Sequence, residues 1–187
     1  IRGAGNVLGV EQHGHMDKIG YELYSKLLRE ELTGKEERTL ELDIRVTAFI
    51  PDGYIESNSA RMDAYKEIAE IDSEEGARRV VDMMQDAYGE LPLETENLIL
   101  IALAKRLASN IDVTEINVNK EKVNLVFGDV KRLWKEDIAA ALEKFKDKTR
   151  ISVAGSPSIE FKRNGENNRE MLFVVCDFLK TVNRFKP

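Results

Sequence analysis

Between Thr39 and Val46 the chain alternates polar and apolar residues without exception. Leu40, Leu42, Ile44 and Val46 fall on one side, Glu41, Asp43 and Arg45 on the other. A side-chain period of two is that of a strand buried on one face, so a sheet with one covered face belongs to the fold. Pro51-Asp52-Gly53 ends the strand with turn chemistry. The residues after Gly53 must supply the cover.

The spacing predicts helices there. Asn58 or Ser59 caps one that runs to about Ile71, with Met62, Tyr65, Ile68 and Ala69 on its inner side. Asp72-Ser73-Glu74-Glu75 opens a second, its acidic residues placed where the N-terminal dipole favours them, with an apolar stripe of Ala77, Val80, Val81, Met84 and Tyr88. Gly89-Glu-Leu-Pro92 breaks the chain, and Glu94 to Ser109 reads as a strongly apolar, central helix. Val113–Val118 and Val123–Phe127 form a hairpin across the polar turn Asn119–Lys122. Leu133 to Lys146 reads as an amphipathic helix carrying Trp134, Ile138, Leu142 and Phe145. Ile151–Val153 and Ser158–Phe161 are short strands around Gly155-Ser-Pro157. Arg169 to Arg184 closes the chain as a helix with Leu172, Val175, Cys176 and Leu179 inside. This order fits an α+β fold, a small mixed sheet packed with several helices, better than a regular βαβ alternation.

Ahead of the strand lies a different kind of sequence. Ile1–Gly14 is glycine-rich, and Gly14–Leu32 reads as a long connecting helix with Ile19, Leu23, Leu27 and Leu28 at helical spacing. Thr33-Gly34 stops it. The charged linker Gly34–Arg38 marks a boundary, giving parts 1–38 and 39–187. The abrupt start at Ile1, without methionine, reads as the cut end of something larger.

Several function classes lose ground on pattern alone. Gly3, Gly5 and Gly9 miss the dinucleotide fingerprint, because the third glycine falls one residue late, and no Gly-Lys-Ser/Thr phosphate loop occurs. His13 and His15 with the distant Cys176 do not make a metal site. No nucleophile–histidine–acid set is suggested, so no catalytic residue, metal or cofactor is assigned and the chain reads as non-enzymatic. A single cysteine excludes an internal disulfide and fits a reducing cytoplasm. The longest apolar run, Leu98–Ala104, is too short to span a bilayer, so no membrane partner is expected.

Charge is uneven. Residues 39–110 carry 7 basic and 15 acidic side chains, a net −8, whereas 111–187 carry 15 basic and 12 acidic, a net +3. An acidic middle repels phosphate and suits a basic protein surface. Within it, Asp82 and Asp86 stand one turn apart on the outer side of the second helix, with Met83 at the edge. Two readings are open for this ridge: a solvated face in which Arg78 pairs with Asp82 at i,i+4, or a docking site for an arginine-bearing partner.

Ile1-Arg-Gly-Ala-Gly-Asn-Val-Leu-Gly9, with Gln12 and Gly14 beyond it, resembles the motif after the last helicase motif in RecG helicases and in bacterial transcription-repair coupling factors (Mfd). Ile19-Gly-Tyr-Glu-Leu-Tyr24, Ile50-Pro-Asp-Gly-Tyr-Ile55, Arg61, Tyr65-Lys-Glu-Ile-Ala69 and Asp86-Ala-Tyr-Gly-Glu-Leu-Pro92, leading to Glu96-Asn97, resemble the coupling factors rather than RecG. The resemblance runs from residue 1 to about residue 100. It implies that Arg2, Gly3, Gly5, Gly9 and Gln12 belong to the end of a motif coupling ATP hydrolysis to movement on double-stranded DNA. The ATP and magnesium sites would lie in motor lobes absent from this chain. It implies further that 39–187 is a C-terminal regulatory domain that folds back on the protein's own N-terminal UvrA-binding module and masks it. Such a parent displaces stalled RNA polymerase and recruits UvrA for nucleotide excision repair. The family's contact uses acidic residues of the helix preceding Arg-Phe-Gly. Asp86 matches one; Met83 stands at a usually acidic position, Ala87-Tyr88 replace Arg-Phe, and Asp82 is placed to substitute from the neighbouring face. The alternative from another class is a nucleic-acid-binding module using the basic residues of 120–163.

Overall fold

Of the alternating stretch Thr39–Val46, Glu41–Asp43 forms a strand, while Leu40 and Val46 stand outside it. A computed structural model describes residues 40–43 and 46–185, and for 41–43 the backbone alone. The motif of Arg2, Gly3, Gly5, Gly9 and Gln12, the helix expected over Gly14–Leu32 and the boundary at residue 38 lie outside the described residues. The strands are β1 (Glu41–Asp43), β2 (Val113–Val118), β3 (Lys122–Phe127), β4 (Thr149–Ser152) and β5 (Ser158–Lys162), and they form one sheet in the order β1-β2-β3-β5-β4. Every neighbouring pair is antiparallel except β1 with β2, which run parallel with Leu42 opposite Ile116. A parallel pair needs a long crossover. Three helices fill it: α1 (Asn58–Ala69), α2 (Glu74–Tyr88) and α3 (Leu93–Ser109). After the hairpin come a 3-10 turn (Val130–Trp134), α4 (Glu136–Phe145) and, last, α5 (Asn168–Phe185).

The core lies between one face of the sheet and the helices. Ile116, Val123, Leu125, Ile159 and Phe161 are fully buried on that face. Phe178 of α5 meets Phe161 edge-on at 5.2 Å and Phe145 of α4 at 5.6 Å. Each such side chain stabilises the fold by about 2 kcal/mol through burial. Along α3, Leu98 and Ala104 are fully buried, as a central helix demands, and it contacts α1, α2 and α5. Its buried polar residues are satisfied by the chain after β1: Thr95 donates to the Phe49 carbonyl and Asn97 to that of Thr47. The α+β expectation and the mixed sheet stand.

Several local expectations are corrected. Ser57, not Asn58 or Ser59, caps α1, because its extended backbone lets its hydroxyl accept from the Ala60 N–H. Ile68 and Tyr65 lie on the inner side as expected, whereas Met62 and Ala69 are exposed and Ala64 takes an inner position instead. The helix expected from Leu133 is interrupted at Lys135, whose backbone is extended (φ −75°, ψ 149°). The cause is beside the break. Arg132 makes a two-pronged ion pair with Asp137, and Asp137 also accepts from the Ile138 N–H, so the carboxylate ties the turn to the first turn of α4. Trp134 points outward in consequence and is 65% exposed.

Candidate docking surface

Helix α2 carries the ridge, and its two ends are built differently. At the N-terminus Ser73 caps by accepting from the Gly76 N–H, and Glu74 bridges to Arg184 and Lys180 of α5 at 3.0 and 3.5 Å. At the C-terminus no basic residue stands in the last turn. Gly89 ends the helix with φ +88°, a backbone that favours glycine, and its N–H donates to the Gln85 carbonyl. Tyr54 adds a side-chain contact there: its hydroxyl is shared between the carbonyls of Met84 at 3.1 Å and Gly89 at 3.0 Å. Burial first, and the neighbouring Tyr88 second, push the Tyr54 phenol above its ordinary range, which keeps the donated proton in place. Tyr88, expected inside, is instead 42% exposed and lies edge-on to Tyr54.

Asp82, Met83 and Asp86 are all exposed on the outer side of α2, as their spacing requires. Met83 is 41% exposed. The Arg78–Asp82 pair does not form; the ion pair on this face is Arg79 with Glu75, at 3.7 Å and well exposed. Among the described residues, neither Asp82 nor Asp86 has an ion-pair or hydrogen-bond partner. Asp86 stands in the last turn, against the negative end of the helix dipole. The structure brings these three residues onto one exposed surface, with Arg78 and the Arg79–Glu75 pair one turn before them. Tyr54 escaped the sequence reading. Its one signal was indirect: a helix ending in acidic residues and glycine, with no basic side chain to meet its last carbonyls, needs a cap from elsewhere.

Other candidate sites are weaker. Several basic residues of 120–163 are already engaged within the fold. Lys122 pairs with Glu160, Arg132 with Asp137, Lys146 with Glu143 and Lys148 with Glu166. The guanidinium of Arg163 is held by the carbonyls of Asn119 and Glu166 and by Asn168. An open groove of about 860 Å³ between the chain after β1 and the start of α5 has a floor of paired groups, with Arg169 bound to Asn97 and Glu96. Burial pushes the Cys176 thiol up to about 12, an unreactive state. Among the described residues no three His, Cys, Asp or Glu side chains converge as metal ligands, and no helix is long and apolar enough to cross a membrane.

Fold and surface together define a class: an α+β domain with helices over one face of a mixed sheet and two exposed aspartates on the outer side of one crossover helix. A sequence profile for the TRCF domain matches residues 44–138. The chain is 35% identical over 136 residues to the transcription-repair-coupling factor of Bacillus subtilis (strain 168), covering 69% of this chain and 12% of that protein. It is 27% identical over 193 residues to that of Borreliella burgdorferi, covering 100% of this chain and 17% of the relative. A crystal structure of the C-terminal domain of transcription-repair coupling factor superposes with a TM-score of 0.68 at 23% identity, over 78% of this chain and 92% of that one, and shows the same fold. The chain belongs to the TRCF domain family. It spans only 12% and 17% of the two relatives' lengths.

Proposed function

We propose that this chain is the C-terminal regulatory domain of a transcription-repair coupling factor, and that Asp82, Met83 and Asp86 dock on an arginine-bearing face of the N-terminal UvrA-binding module of the same protein. Docking masks that module. The observation that carries the reading is the ridge: two aspartates without partners among the described residues, beside an exposed methionine. Asp86 is mildly unfavourable to the isolated fold, by a few tenths of a kcal/mol at the negative end of the dipole. An arginine from a partner reverses that sign and holds the carboxylate bidentately. Met83 adds apolar contact that adapts to the partner's shape.

In this reading residues 1–38, with Arg2, Gly3, Gly5, Gly9 and Gln12, are the end of the translocation motif of a motor acting on double-stranded DNA. ATP, magnesium and RNA polymerase meet parts of the parent outside this chain, the chain itself is not an enzyme, and the whole works in the cytoplasm. Nucleic-acid binding by residues 120–163 finds less support, because Lys122, Arg132, Lys144, Lys146 and Lys148 are already in ion pairs. The test uses the full-length coupling factor. Asp86→Arg is expected to unmask the module and raise UvrA binding roughly tenfold, the loss of about 1.4 kcal/mol of masking; UvrA binding equal to that of the unaltered protein sinks the proposal.

A further inference from the structure

We infer that the free edge of β4 pairs with the β4 edge of a second copy of this chain, antiparallel across a twofold axis at Ile151. β4 stands last in the sheet order and within the sheet is hydrogen-bonded to β5 alone. Two bonds show which of its main-chain groups face outward. The Phe127 N–H donates to the Pro157 carbonyl at 2.8 Å, so the odd-numbered residues of β5 turn their N–H and C=O groups toward β3. The Lys162 N–H donates to the Lys148 carbonyl at 2.8 Å, so the even-numbered residues of β5 bond the even-numbered residues of β4. In an antiparallel ladder successive residues bond to opposite sides. Thr149 and Ile151, with Val153 just beyond the strand, therefore aim their N–H and C=O groups away from the sheet.

This edge lacks the devices that keep edges apart. From Thr149 to Val153 there is no proline, and the register with β5 is unbroken. Ile151 stands opposite the buried Ile159, on the helix-covered face, and Thr149 and Val153 share its side. The one charge in the stretch, Arg150, lies with Ser152 on the other face and does not block the edge.

Charge and side-chain shape select the occupant and its register. Outward-facing residues must meet outward-facing residues, which leaves few alignments of β4 on itself. Centred on Arg150, a second copy sets Arg150 against Arg150; centred on Thr149, it sets Arg150 against Lys148. Like charges directly opposite are destabilising. Centred on Ser152, Thr149 faces Gly155, whose φ of +80° belongs to the turn and not to a strand. Centred on Ile151, the pairs are Ile151 with Ile151, Thr149 with Val153, Arg150 with Ser152 and Lys148 with Ala154. Both cations then face small uncharged residues. The row on the helix-covered side is β-branched throughout, the shape that pairs best across strands. The edge is complementary to itself in this register, as an isologous twofold interface requires. One strand pair is a small area, which fits a weak dimer.

Sedimentation of the intact chain from about 1 μM to about 1 mM is expected to show a reversible dimer with Kd on the order of 100 μM. Amide exchange reads the register. Thr149, Ile151 and Val153 gain protection as concentration rises, while Arg150 and Ser152, already bonded to β5, do not change. Ser152→Arg sets a guanidinium against Arg150 of the other copy, twice across the axis, and weakens the dimer roughly tenfold or more. Arg150→Ser/Ser152→Arg exchanges the two residues and restores dimerisation, which a folding defect would not do. A monomer at every concentration overturns the inference. So does a dimer that Ser152→Arg leaves equally tight, or one whose added protection does not alternate along β4.

Discussion

Asp137 in the first turn of α4 and Asp86 in the last turn of α2 are the same side chain set against opposite ends of a helix dipole. Asp137 is buried, gripped by Arg132, bonded to the Ile138 N–H and aligned with its dipole. Asp86 is exposed, opposed by its dipole and without a partner among the described residues. The first is explained completely by folding. The second is met only by solvent, which leaves it accessible to a partner.

The largest expected effect falls on the internal member. Asp137→Ala leaves the Arg132 guanidinium buried without its counter-charge and is expected to cost about 3 kcal/mol in urea unfolding; a loss below about 1 kcal/mol would erase the contrast with Asp86. The pH dependence has a definite sign. The hydrogen bond from Arg132, chiefly, holds the Asp137 carboxyl below the ordinary carboxylate range, against the opposing effect of burial. A depressed folded-state value means this stabilisation is full above the unfolded value of about 3.9 and is lost as pH falls through the folded value. The acid limb of the stability curve should therefore be shallower in Asp137→Ala.

Next in size is the pin beneath the ridge. Tyr54→Phe removes the hydroxyl shared by the Met84 and Gly89 carbonyls and should destabilise by about 1 kcal/mol. Amide exchange should quicken in the last turn of α2 while α3 stays protected; uniform quickening would show that Tyr54 supports the whole fold rather than the ridge. The smallest effect has the opposite sign. Asp86→Lys should stabilise the isolated chain by about 0.5 kcal/mol, because it complements the dipole. Measured destabilisation would mean that Asp86 has an internal role after all.

The same contrast explains what could be read from the chain. The bounds of β2 match the expected Val113–Val118, and α3 and α5 differ from the expected ends by one residue, because each has a periodicity that only one conformation satisfies. The outward placement of Asp82 and Asp86 came from the same arithmetic. Trp134 did not, since the apolar spacing from Trp134 to Phe145 is continuous and nothing in it announces a break. That break depends on Arg132 and Asp137, five residues apart, meeting under the turn. Tyr54 was hidden for a stronger reason. It caps a helix whose end lies 30 and 35 residues away, a contact only the assembled fold defines.

The parallel pairing of β1 carries a mechanical consequence. The three residues of β1 are hydrogen-bonded to β2 alone within the sheet, and they close the long crossover that contains α1, α2 and α3. Tension drawn along the chain from the residues before β1 is borne first by that short ladder. It passes next to the bonds joining Thr47 and Phe49 to α3, before reaching the four antiparallel strands. A pull from that side peels the sheet from its parallel edge and loosens the crossover holding the acidic ridge before it reaches the antiparallel strands.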